Sequence, residues 1–222
     1  MNSFRDNLSP EEQAHLVTVQ GKVKQVFLRR LQAPEWSVIS FVAEWNRAQD
    51  DIGLANQGEG VELACRAGCS HCCHASVEIF SPEAFAIVRT LKTLPADRLS
   101  AIRQRLLEYE LDNIDDPAWT KRPACPFLDD HRCSIYAVRP VACRQAHSLD
   151  VKACENDAPH IPQSLNLLAG MSALSGGVMD ALAVKGLDTA AYDFVPAVLL
   201  ALDDPGCEER WLAGERVFSP VT

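Results

Sequence analysis

The ten residues CRAGCSHCCH, Cys65 to His74, hold four cysteines and two histidines, with a doublet at Cys72 and Cys73. A second block, CPFLDDHRCSIYAVRPVACR, runs from Cys125 to Arg144, with 51 residues between Cys73 and Cys125. It adds Cys125, Cys133 and Cys143, so seven of the nine cysteines fall in two short segments. Cys154 comes soon after the second block, and Cys207 stands alone. A fold built here has to accommodate this density of soft ligands.

Spacing shows that the first block can converge its sulfurs. Were it helical, positions 65, 69, 72 and 73 would share an arc of about 100°, with His74 nearly opposite Cys65. Gly68 weakens a helix and suits a turn that brings backbone close to a metal or cluster. In either local structure three sulfurs can meet, and the doublet offers one ligand inward and one towards a second centre or the core. Four thiolates suit tetrahedral Zn²⁺ and equally an iron–sulfur cluster.

Charge points to the same place. The chain carries a net charge of −9, yet residues 121 to 144 set Lys121, Arg122, Arg132, Arg139 and Arg144 against Asp129 and Asp130, 5 − 2 = +3. Cations beside thiolates lower thiol pKa values and stabilise a bound metal, which makes Arg139 and Arg144 candidates for holding the centre. A lone cysteine is usually a small core hydrophobe, the reading for Cys207 and an alternative for Cys154. His71 and His131 read as solvent-facing residues or outer neighbours of the ligands, and His15, His147 and His160 receive no functional role.

The rest of the chain predicts a mainly α protein. It is an irregular helical domain organised around the cysteine site, with little or no sheet, formed by residues 1–222 as a single domain. Residues 1–60 would be N-terminal helices, 61–155 the cysteine-cluster region and 156–222 C-terminal helices. Ser9-Pro10-Glu11-Glu12 is a capping box with proline at the first helical position, and Leu16, Val19, Val23, Val26, Phe27 and Leu31 follow as an apolar stripe that Pro34 ends. A second helix is expected over Trp36 to Asp50, then a glycine-containing break at 53–60. Val77 to Phe80 reads as a short extended piece. Ser81-Pro82-Glu83 opens a helix to Leu94 and Pro95 another to Leu111, with a polar loop from Asn113 to Ala124. Helices over 163–185 and 188–202 follow, the latter kinked at Pro196. There is no βαβ alternation.

Composition excludes several classes. With 47% hydrophobic and 23% charged residues the chain is ordinary for a globular protein, and its acidic balance argues against nucleic acid or an anionic membrane as partner. The polar, acidic start MNSFRDNLSPEEQ predicts no secretory leader. The apolar run Leu165 to Val184 includes Asn166, Asp180 and three glycines, a core helix rather than a span. In the cytoplasm, the expected location, nine cysteines would not be structural disulfides, so metal ligation or redox chemistry is the default.

With these residues in view, the chain resembles the CxxCxxCC family, the YkgJ-like cysteine-cluster proteins described as a zinc- or iron-chelating domain. Cys65-Arg-Ala-Gly-Cys69-Ser-His-Cys72-Cys73 carries the resemblance, with Cys125-Pro-Phe-Leu, Cys133-Ser-Ile-Tyr136, Arg139-Pro140 and Cys143-Arg144, over residues 62 to 145. Three residues, not two, separate the first cysteines. The family pattern has eight cysteines, and Cys154 is the candidate for the eighth. The resemblance implies a protein that binds iron–sulfur or zinc in a redox, regulatory or structural role, with no partner identified beyond the metal. Flagellin lysine N-methylases look like relatives with a similar cluster, which gives the alternative of an enzyme using the centre directly. Cys65-x3-Cys69-x2-Cys72 also has radical S-adenosylmethionine spacing, but the strands of a β/α barrel are missing. Thiol catalysis through the doublet or Cys69-x2-Cys72 would want a thioredoxin-like βαβ frame, equally missing.

Overall fold

The computed structural model describes residues 8–58, 60–113 and 120–219. The opening stretch as far as Asn7 and most of the expected polar loop, residues 114–119, lie outside the described residues. The main chain forms nine α-helices among the described residues, with two small antiparallel strand pairs, so the protein is mainly α. It folds as two compact units, each assembled from two separate stretches: residues 1–65 with 144–187, and residues 66–143 with 188–222.

The first unit is built on three long helices. Helix α1 (Pro10–Leu31) starts as its sequence predicts: the Ser9 hydroxyl accepts from the Glu12 backbone N–H, and Glu12 returns the bond to Ser9 N–H at 2.7 Å. Helix α2 (Val38–Gly58) runs about two turns beyond the expected end. The break expected over 53–60 is therefore wrong for most of its length. Gly53 sits inside the helix because the buried face continues past it through Gln49 and Asn56, which outweighs the glycine's propensity cost of about 1 kcal/mol. Helix α7 (Leu165–Val184) is capped by Ser164 and packs chiefly on α1 and also on α2. Gly177 allows that approach. A Cβ there would lie 2.6 Å from the Gln20 carbonyl oxygen of α1. Length and composition alone would let α7 cross a membrane, but Leu167, Met171, Leu174, Val178 and Leu182 are buried in packing. Its role in the unit is that of a core helix.

Short pieces complete this unit. Ala64 N–H donates to the Ser148 carbonyl at 2.8 Å, Asp150 caps α6 (Val151–Glu155), and Gln145 Nε2 donates to Ser175 Oγ of α7. Buried His147 is fixed at both ring nitrogens, its Nδ1 2.8 Å from the Gln145 carbonyl oxygen and its Nε2 accepting from Ser164 N–H. Its role is structural.

The second unit holds the strands. Strand β1 (Glu78–Phe80) pairs with β4 (Ala191–Asp193), Ile79 opposite Tyr192, and leads directly into α3 (Ser81–Leu91). Helix α4 (Ala96–Asn113) follows, with Ile102 and Leu106 buried. Strands β2 (Leu128–Asp129) and β3 (Arg132–Cys133) form a two-residue hairpin whose turn residues, Asp130 and His131, have φ of 45° and 59°. That is the twist a tight hairpin requires, and Asp and His tolerate it better than most residues. Helix α5 (Val141–Gln145) carries Cys143.

Helix α8 (Phe194–Asp203) begins after β4, so the single kinked helix expected over 188–202 is instead a strand followed by a helix. Pro196 falls in the first turn of α8, where no intrahelical donor is lost. Helix α9 (Cys207–Leu212) closes the chain's helical order. Phe85, Trp211, Tyr192 and Phe218 form the aromatic core, with ring centroids 5.2–5.7 Å apart along the chain of contacts.

Candidate metal centre

Local backbone sets the first block. Gly68 turns the chain with φ +85°, and His71–His74 is one 3₁₀ turn rather than part of a longer helix. The doublet therefore lies side by side at the start of a tight turn, with Cys73 N–H donating to Ser70 O at 2.9 Å. The second block is tied to it by one backbone bond, Cys125 N–H to the Cys73 carbonyl at 2.7 Å. His131, at the hairpin tip, has Nδ1 3.2 Å from Ser70 Oγ, and His74 Nδ1 is 3.2 Å from the Arg122 carbonyl oxygen. Both imidazoles thus brace the two blocks together.

All nine cysteines are thiols. Cys72, Cys73, Cys125, Cys133 and Cys143 lie in the second unit within electrostatic range of one another. Within the doublet, the Cys73 thiol hydrogen-bonds to Cys72, which lowers Cys72 to about 6 and drives Cys73 far above its ordinary value. The pair gives up its first proton easily and keeps the second. Burial pushes Cys125 up to about 11 and Cys143 up to about 12, and it raises Cys133 as well. Against burial, the Phe127 N–H donates to the Cys125 sulfur and the Ile135 N–H to the Cys133 sulfur. Each is a donor two residues on, placed to stabilise a thiolate.

Cys69 belongs to the same unit and is partly buried, its N–H bonded to Arg66 O at 3.0 Å. Cys65 and Cys154 belong to the first unit. Cys207 is 1% exposed on α9, a core residue, as its isolation in the sequence suggests. Of the two arginines singled out from the sequence, Arg139 lies over the Tyr136 ring at 4.1 Å and draws down both Cys72 and Cys133. Arg144 forms an ion pair with Asp50 of α2 at 2.7 Å, within the first unit.

Two contributors escaped the sequence reading. Glu83 is 3% exposed, and its carboxylate accepts from Phe80 N–H at 2.9 Å and from Val141 N–H at 2.6 Å, which ties the start of α5 and hence Cys143 to α3. The Ser-Pro-Glu signature marked the helix start but carried no sign of the partner 58 residues away. Arg105 of α4 draws down Cys125, although α4 carries no cysteine.

Among the described residues no three Cys, His, Asp or Glu side chains stand in ready coordination around one point. The donor set nevertheless fits a thiophilic metal. Its members are all sulfur, three receive backbone N–H bonds, and the Nε atoms of Arg105 and Arg139 are buried with no hydrogen-bond partner among the described residues. Zinc or an iron–sulfur cluster would take its ligands from Cys72, Cys73, Cys125, Cys133 and Cys143.

A helical scaffold carrying a two-block thiol group defines a cysteine-cluster protein. Residues 64–160 match the model of the CxxCxxCC family, described as "Putative zinc- or iron-chelating domain". The matched span takes in Cys65 and Cys154 as well as the two blocks. Comparison with curated proteins and with solved structures found no match.

Proposed function

We propose that this protein binds zinc or an iron–sulfur cluster through the thiolates of its second unit, in a regulatory, redox or structural role. The ligands are drawn from Cys72, Cys73, Cys125, Cys133 and Cys143, with Cys69 as the reserve donor of the same unit. The observation that supports this is the gathering of five thiols in one unit, with Cys72 and Cys73 hydrogen-bonded to each other. Thiols placed so closely are held apart from oxidation most simply by a bound metal, and a reducing cytoplasm is the location this reading takes for the protein. When bound, zinc would supply a closed cross-link and an iron–sulfur cluster an electron-accepting site.

Anaerobic purification with metal and sulfide analysis and a visible spectrum tests the reading. Stoichiometric zinc in a colourless protein, or iron with sulfide in a brown one, is the expected result. Cys133→Ser should lose the metal and much of its solubility, because site and fold are thermodynamically linked. A protein free of metal after anaerobic handling, and unable to take up Zn²⁺ or iron when offered, would sink the proposal.

A further inference from the structure

Helix α4 lies outside both cysteine blocks, yet one of its side chains is left with an unmet requirement. Arg103 and Arg105 are close neighbours on this helix. Arg103 reaches Asp203 with two bonds of 2.8 and 2.9 Å and is fully accounted for. Arg105 has no carboxylate partner among the described residues, and its Nε is inaccessible to solvent and without a hydrogen-bond acceptor. A guanidinium N–H buried without an acceptor costs about 1–3 kcal/mol or more, so such a group is kept where an anion will meet it.

The anion whose charge Arg105 feels is the Cys125 thiolate, which it draws down. Arg105 sits between the buried Ile102 and Leu106 on α4, and Tyr109 stands one turn later, within electrostatic range of the same cysteine, Cys125. Cys125 already accepts from Phe127 N–H and has its own N–H fixed on the Cys73 carbonyl, so its sulfur is held in one place. Arg139 repeats the arrangement: its guanidinium lies over the Tyr136 ring, while its Nε is buried without an acceptor among the described residues. Two guanidiniums together supply +2. Four thiolates around Zn²⁺ sum to −4 + 2 = −2, and the two charges cancel.

We propose that Arg105 is a positioning residue for the metal centre, donating its Nε–H to the Cys125 thiolate when metal is bound and, with Arg139, neutralising a tetrathiolate dianion. The inference rests on the metal-binding reading above. The ligand it specifies is a cation bound by four thiolates, since a centre with fewer would leave positive charge uncompensated in a partly buried site. Outer donors of this kind change metal affinity about 10–100-fold.

The full chain, stripped of metal under reducing conditions, is titrated with Co²⁺ while the thiolate-to-cobalt charge-transfer band is followed, and Zn²⁺ is then measured by competition with a chelator. Arg105→Met should weaken both metals at least tenfold and shift the charge-transfer band, with the metal-free melting temperature not lowered. Arg105→Lys, which keeps the charge, should recover most of the loss. Affinity of Arg105→Met within twofold of the parent protein overturns the proposal. So does Arg105→Lys binding as weakly as Arg105→Met, or a fall in metal-free stability matching the loss of affinity, since either assigns Arg105 to packing. A parent protein that binds neither metal removes the metal reading itself along with the inference, whereas binding insensitive to Arg105 removes the inference alone.

Discussion

Replacing Glu83 by glutamine tests how the fold delivers Cys143 to the thiol group. The side chain is 3% exposed and accepts two backbone hydrogen bonds, from Phe80 at 2.9 Å and Val141 at 2.6 Å. Glutamine keeps the volume and one oxygen but turns the other acceptor into an NH₂ that faces a backbone N–H. A hydrogen bond to a charged group contributes about 1.5–3 kcal/mol, so losing one and weakening the other should cost about 2–4 kcal/mol. Urea unfolding of the metal-free protein under reducing conditions measures this directly. Val141 begins the helix that carries Cys143, so the same variant should also bind Zn²⁺ more weakly in a chelator competition. A loss below about 1 kcal/mol would refute the reasoning, because the two backbone bonds would then have no net value at this site.

The helix contact in the first unit gives an ordered pair of variants. Gly177→Ala forces a Cβ to 2.6 Å from the backbone oxygen of Gln20 and should destabilise by about 2–3 kcal/mol in thermal melts. Gly176→Ala meets the Gln20 side chain, which can swing away at the loss of its 2.8 Å bond to Asp180, and should cost about 1 kcal/mol. The reverse order would contradict the packing described. Cys125 and Cys143, held up to about 11 and 12, are protonated at pH 7.5, so metal uptake that engages both should release at least two protons per ion in a weakly buffered titration. Release of one or none would exclude them as ligands. In the metal-free protein these thiols ionise less readily than their unfolded counterparts near 9, so their stabilisation is present below pH 9 and is lost as pH rises through about 11–12. A urea midpoint that rises across that window would contradict this sign.

Helices whose signals are local were legible in the sequence. The Ser9 capping box, the Ser81-Pro82 start of α3 and the extended piece near Phe80 all appear where their residues indicate. Misreadings came where tertiary contacts outweigh local preference. Gly53 and Gly58 suggested a break, but α2 continues because its inner face remains buried. Asp188 to Asp193 resembled the start of a helix. However, β1 supplies hydrogen bonds that no neighbour in sequence reveals, and the segment's last three residues become β4.

The thiol group itself was legible from spacing, but the residues that serve it were only partly so. From the basic run, Arg139 draws down Cys72 and Cys133 and Arg144 pairs with Asp50, while Arg105 of the cysteine-free α4 draws down Cys125. Such selection depends on which helix faces the group, and one-dimensional charge density does not record it.

The pairing of β1 with β4 has a consequence for how the protein is made. Cys143, the last thiol of the group, is synthesised about 50 residues ahead of Phe194, whose N–H closes on the Val77 carbonyl beyond the strand pair. At about 5–20 residues per second, the ribosome takes on the order of 3–10 s to cover that distance. During those seconds every thiol of the group exists while the strand that completes its unit does not. Oxidants and stray metal ions therefore have their best access to these cysteines on the nascent chain, before the finished fold protects them.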